Sequence, residues 1–231
     1  YFVSDLHLFA QRSAADDHLE TMQELASTAD TFVLGGDIFD FRWSTLPSLE
    51  ATLDAAEDWL RELVDCAPTC EFHMLLGNHD HHEGLIERLD HLDQRHHNLA
   101  WEPYYVRLGN SLFLHGDAVD SRATHAGLAA ARSRQPHHNR RGPAANWLYD
   151  AVIQTGVHRT IPVLAYPKRR TAKRLLCYMS DIGQGPDAGI RNVYFGHTHR
   201  VIDGYHFGGV TFHNGGAPIR GVPFQIVSAE I

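Results

Sequence analysis

At five places in the chain a short polar cluster stands directly behind an apolar run. Asp5-Leu6-His7 follows Tyr1 to Ser4, Gly36-Asp37 follows Thr31 to Leu34, and Gly77-Asn78-His79-Asp80 follows Phe72 to Leu76. His115-Gly116-Asp117 follows Ser111 to Leu114, and Gly196-His197-Thr198-His199 follows Asn192 to Phe195. Each apolar run reads as a short buried strand, and in four of the five a glycine behind it lets the chain turn and present polar side chains at the strand's C-terminal end. That is the edge at which α/β proteins place their chemistry.

The segments between the clusters support the same class. Leu19, Met22, Leu25 and Ala26 are spaced for a helix between Ala14 and Ala29, and Leu49, Leu53, Ala56, Leu60 and Leu63 for a second, begun near Pro47-Ser48 and ended by Pro68. A third is expected over Gly84 to Leu92. Strand and helix therefore alternate through the first half, which predicts parallel pairing. The later short strands, with turns at Gly109-Asn110 and Gly208-Gly209, read as antiparallel, and Val222 to Ile231 reads as the strand that closes a sheet. At 231 residues one domain is expected, covering 1–231, with the break in pattern from about 120 to 185 as a helical insert.

The insert has helical segments near 144–154 and 168–179, and its charge is unlike the rest. Between Arg132 and Arg174 ten basic residues stand against Asp150 alone, in a chain whose net charge is −8. One-sided charge of this kind repels itself and calls for an anionic partner. Trp147, Leu148, Tyr149, Ile153, Val163 and Leu164 are interleaved with it, a mixture that suits an amphiphilic anionic substrate or peripheral contact with a membrane surface. The acidic balance elsewhere argues against nucleic acid. No apolar run reaches the length of a membrane span, and Cys66, Cys70 and Cys177 have no framework spacing, so a cytoplasmic setting is expected. The opening Tyr1-Phe2-Val3 already reads as strand, which places the true N-terminus upstream. Of the 18 histidines, the pairs His81-His82, His96-His97 and His137-His138 read as solvated surface.

The cluster residues Asp5, His7, Asp37, Asn78, His115, His197 and His199 form a donor set of oxygens and imidazoles without thiolate. Such a set suits manganese, iron or zinc and is too rich in nitrogen for calcium. Seven donors exceed the needs of one ion and fit two that share a carboxylate, an arrangement that activates water and clamps the oxygens of a phosphoryl displacement. Asp80 is placed to fix the tautomer of His79.

Taken together, Asp5-Leu6-His7, Gly36-Asp37-Ile38-Phe39-Asp40, Gly77-Asn78-His79-Asp80, His115-Gly116-Asp117 and Gly196-His197-Thr198-His199 resemble the five signature motifs of the calcineurin-like metallophosphoesterases. The resemblance implies a four-layer αββα sandwich of mixed sheets with a two-metal centre at one rim. It assigns Asp5, His7, Asp37 and His199 to one ion and Asp37, Asn78, His115 and His197 to the other. It gives His79 a role on the substrate phosphate or the leaving group, with Asp80 orienting it. Within the family, the Ser4-Asp5-Leu6-His7-Leu8 opening, Asp37-Ile38-Phe39-Asp40 and the basic insert are similar to the UDP-diacylglucosamine hydrolases, which use manganese to cleave a pyrophosphate in a lipid-linked sugar nucleotide. The competing readings are a generic phosphodiesterase or phosphatase and a non-catalytic metal-binding scaffold. Scaffold relatives usually lose ligands or the motif histidine, and both are present here. A protein phosphatase is disfavoured, because Asp40-Phe41-Arg42 stands where those enzymes carry Asp-Arg-Gly.

Overall fold

The computed structural model describes residues 1–134, 140–142, 147, 161–229 and 231. Its first sheet holds β1 (Phe2–Val3), β2 (Thr31–Gly35), β3 (Glu71–Leu75) and β4 (Leu99–Glu102) in sequential order, all parallel. The strands are joined by α1 (Leu19–Thr28), α2 (Leu49–Asp65) and α3 (Glu83–Arg95). Parallel strands in sequential order, linked by right-handed crossovers, put every connecting helix on the same face. Met22 and Ala26 of α1, Leu53 and Leu60 of α2, and Leu85 and Leu89 of α3 accordingly share one buried cluster with Val3, Leu34, Phe72 and Met74.

The opposite face of that sheet packs on a second sheet. It contains β5 (Tyr105–Leu108), β6 (Ser111–Leu114), β7 (Asn192–Phe195), β8 (Ile202–Phe207) and β9 (Val210–Asn214), in the order β5-β6-β7-β9-β8. Side chains alternate along a strand, so Phe2, Val33 and Leu75 point away from the helices and meet Phe113 and Tyr194 of the second sheet. The rings of Phe113 and Tyr194 stack at 4.7 Å, and Phe2 lies 5.9 Å from Phe113 and 6.1 Å from Tyr194. Beyond the second sheet, α4 (His125–Arg134) and α6 (Lys168–Asp181) supply Leu128, Leu175, Tyr178 and Met179 to a third cluster with Leu114, Phe195 and Phe212. Three cores between four layers make the αββα sandwich that the resemblance implied.

The second sheet is mixed, as the resemblance implied: the pairs joined at Gly109-Asn110 and Gly208-Gly209, β5–β6 and β8–β9, are antiparallel as read, while β6–β7 and β7–β9 are parallel. Other details depart from the sequence reading. The long connection from β6 to β7 is itself a crossover, which the turn signals could not reveal. The described residues of Val222 to Ile231 form no strand; they meet the rest through single bridges, Phe2 with Val227 and Gly216 with Phe224. The first helical stretch divides into a 3-10 turn, Ala15–His18, and α1. In the insert, α6 covers the expected 168–179 segment, whereas 144–154 lies outside the described residues apart from Trp147. The helix α4 and the short α5 (Ile161–Ala165) were not anticipated. Among the described residues no helix is long and apolar enough to cross a membrane.

Candidate metal centre

β1, β2 and β3 of the first sheet and β6 and β7 of the second end at one rim, and the five clusters follow those strands. Beyond the strands the loops stay in register, Asp5 N–H donating to Gly36 O at 3.0 Å and His7 N–H to Asp37 O at 2.9 Å. Two glycines let the loops close on each other. A Cβ at Gly77 would stand 2.2 Å from Asp37 Oδ1, and one at Gly196 would stand 2.3 Å from Asp5 Oδ2. Asp5, His7, Asp37, His197 and His199 all have left-handed backbone, with φ of 55°, 48°, 52°, 64° and 51°. Such a conformation costs an L-residue about 1–2 kcal/mol. Its concentration on five of the candidate donors marks a place where side-chain aim outweighs backbone comfort.

The donors converge. Asp5, His7 and His199 present ligand atoms within 4.8 Å of one another, and so do Asp5, Asp37 and His115. His7 Nε2 faces His199 Nε2 at 3.1 Å, and His199 Nε2 stands 3.3 Å from Asp5 Oδ1. Asn78 Oδ1 lies 3.0 Å from His197 Nδ1 and 3.3 Å from His115 Nε2, which is itself 3.4 Å from Asp37 Oδ2. All seven candidate donors thus stand at this rim.

Two of the imidazoles are held from behind: His115 Nδ1 sits 3.1 Å from Gly35 O and His197 Nε2 2.8 Å from Asp120 Oδ2, while His7 Nδ1 lies 3.4 Å from Asp40 Oδ2 without a hydrogen bond. An oxygen acceptor behind one ring nitrogen puts the proton there and turns the other nitrogen's lone pair toward the cluster, the usual support of a metal-binding histidine. Burial pushes His7 down to about 4, so it is neutral and ready to ligate. For His115 burial acts downward too, but the Asp37 carboxylate outweighs it and raises the ring to about 10. The pull on that proton expresses the cation demand of the buried carboxylates. Asp37 lies well below the usual carboxylate range although burial opposes it, chiefly because of His115 and His79. Strained donors, back-supported imidazoles and buried anions fit a bound cation.

Asp80 and His79 are related differently from the expectation. Asp80 Oδ1 accepts from Gly77 N–H at 2.6 Å and Oδ2 from Ile38 N–H at 2.8 Å, so this carboxylate ties two ligand loops together and does not orient the ring. Burial, and then Asp37, raise it to about 6. The carboxylate beside His79 belongs to Asp40, whose Oδ1 is 3.2 Å from His79 Nδ1. Asp40 Oδ2 accepts from Arg12 at 2.8 Å, and Oδ1 takes the backbone N–H of Trp43 at 2.9 Å. Burial works against ionisation of Asp40 and protonation of His79, yet their mutual attraction lowers the first and raises the second. Asp40 stands three residues behind Asp37 in the same motif, and that spacing was the available signal.

Other residues about the rim are structural. Asn214 donates to Gly196 O at 2.9 Å and Thr198 Oγ1 at 3.1 Å, holding the last ligand loop. Arg132, counted above among cations awaiting an anionic partner, is 3% exposed and grips Asp117 at 2.8 and 2.9 Å and Leu76 O at 2.8 Å. It therefore joins the stretch before Asn78 to the stretch after His115. His82, read as solvated surface, caps α3 through Nδ1, which accepts from Gly84 N–H at 3.0 Å.

The family model for calcineurin-like phosphoesterases matches residues 1–201. No curated protein matches the chain.

Proposed function

The chain belongs to the calcineurin-like phosphoesterases, hydrolases that act on phosphoester bonds with divalent metal cofactors, and from that premise we propose a two-metal hydrolase of an anionic, amphiphilic phosphoester. Asp5, His7, Asp37 and His199 would hold one ion, and Asp37, Asn78, His115 and His197 the other, with Asp37 shared; manganese is the proposed metal, ahead of iron and zinc. When bound, the pair of cations would lower the pKa of a water and neutralise charge on the phosphoryl oxygens.

The protein's own groups do the rest. Asp40 Oδ1, 3.2 Å from His79 Nδ1, draws a positive charge onto the ring, and the raised pKa keeps a proton available for a leaving group. Arg12 anchors Asp40, so the His79 ring is set by a chain of buried contacts. The observation that carries the proposal is the meeting of carboxylate, amide and imidazole donors from five strand ends, with imidazoles held by oxygens behind them.

The substrate reading rests on the insert. Val163 and Leu164 are exposed, Leu164 at 78%, and the basic first turn of α6 follows them in the chain. Apolar and cationic surface side by side suits a lipid-linked phosphoester such as a UDP-acylated glucosamine, met in the cytoplasm or at a membrane face. The test restores manganese to metal-stripped protein and compares hydrolysis of that sugar nucleotide with hydrolysis of an aryl phosphodiester. Preference for the sugar nucleotide is expected; activity on the aryl ester alone would remove the lipid-linked substrate and keep the hydrolase. His79→Ala should lose most turnover while retaining metal, and unchanged turnover would take His79 out of the mechanism.

A further inference from the structure

The insert returns to the rim at Tyr166. Val163, Leu164 and Ala165 of α5 are exposed, as is Pro167 at the head of α6, and Tyr166 between them turns inward. Its ring stands edge-on to His197 at 5.8 Å, and its hydroxyl donates to Asp120 Oδ2 at 2.7 Å. Its carbonyl accepts from Arg200, the residue after His199, at 3.0 Å. The insert is thereby knitted to the last ligand loop by ring, hydroxyl and backbone.

Asp120 is where the insert reaches a candidate ligand. Its backbone is fixed, because Asp120 N–H donates to Asp117 O at 3.0 Å at the end of the 3-10 turn Asp117–Val119. Its side chain is 55% exposed, so burial does not hold the carboxylate, and an ion pair so placed is weak and screened. A second partner supplies what burial does not. The same oxygen, Oδ2, meets both His197 Nε2, at 2.8 Å, and the Tyr166 hydroxyl. A carboxylate only accepts, so the phenol donates and Asp120 remains the acceptor toward His197. The proton therefore stays on Nε2, which leaves the lone pair of Nδ1 on the side of Asn78, whose Oδ1 lies 3.0 Å away.

We infer that Tyr166 is a positioning residue of the metal centre: it fixes Asp120 as the acceptor behind His197, so that the insert, whatever substrate it meets, sets how tightly one of the two ions is held. The inference rests on the proposed assignment of His197 to an ion. Loss of a group directly behind a metal-binding histidine costs about 10–100-fold in metal affinity. Tyr166 acts one contact further out, where a single hydrogen bond, about 3–10-fold, is the scale.

The experiment titrates metal-stripped protein with manganese and follows the free ion by its electron paramagnetic resonance signal. It compares the native protein with Tyr166→Phe, Asp120→Ala, the double variant and Arg169→Gln. Tyr166→Phe keeps the ring and removes only the hydroxyl, and Asp120 is exposed, so neither change opens the core. Tyr166→Phe should weaken one of the two manganese equivalents by about 3–10-fold, and Asp120→Ala the same equivalent by about 10–100-fold. Adding Tyr166→Phe to Asp120→Ala should change the affinity by less than about twofold, because the hydroxyl has then lost the group through which it acts. Arg169→Gln, exposed on the same insert, should bind as the native protein does. Native affinity in Tyr166→Phe overturns the inference, even with a lowered melting temperature, which would make Tyr166 an anchor of the insert and nothing more. An undiminished loss in the Asp120→Ala background, or an equal loss in Arg169→Gln, overturns it too. Uptake of a single equivalent by the native protein would defeat the two-ion reading and leave Tyr166 to be judged by the same cycle on that equivalent; no uptake at all would defeat both.

Discussion

The two sheets bring different chemistry to the rim. The first, parallel throughout, carries every candidate carboxylate, Asp5 and Asp37, together with Asn78 and His7; the second, mixed, carries only imidazoles, His115, His197 and His199. Neither half supplies the full donor set of two ions. The first brings two carboxylates with only two neutral donors, and the imidazole half has no charge to offer. The site is consequently a seam, and metal binding and the packing of one sheet on the other should depend on each other.

The severest break of that seam is at Asp37, the one donor assigned to both ions. Asp37→Asn keeps the volume and an oxygen for the His79 N–H, which now donates to Asp37 Oδ1 at 2.7 Å, so the fold should survive. Turnover should fall by roughly 10²–10³-fold or more, the scale of removing a central electrostatic group. Elemental analysis should show less metal per chain. Undiminished metal content would separate Asp37 from the centre and with it the idea of a shared carboxylate.

Next in size is the clamp that holds the halves together without metal. Arg132 pairs with Asp117 behind the second sheet's motif and with Leu76 O before the first sheet's. Burial works against the charge on Asp117, but Arg132 keeps its carboxyl below the usual range. Arg132→Met strands that carboxylate in the interior and should lower stability by about 3–5 kcal/mol. Arg169→Gln, on the exposed face of the same insert, should stay within about 0.5 kcal/mol. Urea denaturation of both variants makes the comparison; similar midpoints would return Arg132 to the solvated charge that its sequence context suggested.

These two arginines show where sequence reading stops. Both sit in one basic run, and nothing in composition distinguishes the cation gripping Asp117 from the one facing water, because the partner lies fifteen residues away across a layer boundary. The strand-end clusters were legible for the opposite reason. Each couples a local signal, an apolar run broken by glycine or a polar turn, to residues that burial alone would disfavour, so Asp5, His7, Asp37, Asn78, His115, His197 and His199 could all be marked in advance. The assignment of Asp80 to His79 failed because adjacency in the chain was taken for adjacency in space. The left-handed turn at Gly36-Asp37 behind β2 precedes the stretch that brings Asp40 to the ring, while Asp80 folds back onto the Gly77 and Ile38 amides. Which strands of the mixed second sheet pair in parallel could not be read locally, because β6 and β7 are joined by the insert, a connection too long and too irregular to announce a crossover.

A milder test asks whether a cation joins the halves. Manganese added to stripped protein at about a hundred times its dissociation constant should stabilise the fold by about 2.7 kcal/mol. For a chain of this length that is a rise of roughly 5–10 °C in melting temperature. In His197→Ala, which removes a second-sheet donor and leaves every carboxylate, the rise should shrink. A full rise in that variant would mean that the first sheet binds the metal by itself, and the seam would then be only a packing boundary.

The smallest effect separates the chemistry of the rim from that of the sheet interior. His73, in the middle of β3, is half-buried, and burial lowers its pKa although Glu71 and Glu102 pull upward. His115, at the end of β6, is driven the other way by Asp37 and Asp5. A histidine lowered in the fold binds fewer protons than in the unfolded chain, so its contribution is fully present above pH 6.5 and is lost as the pH falls through the window below it. Replacing His73 with Phe removes that loss. Measured by urea unfolding at pH 7 and pH 5, the stability lost on acidification should be smaller in His73→Phe than in the native protein, by under about 1 kcal/mol given the partial exposure of the ring. Titration of the other groups is common to both proteins and cancels in the difference. An identical loss in the two would show that His73 is hydrated enough to titrate normally, and the contrast between the two histidines would then lie wholly in the carboxylates around His115.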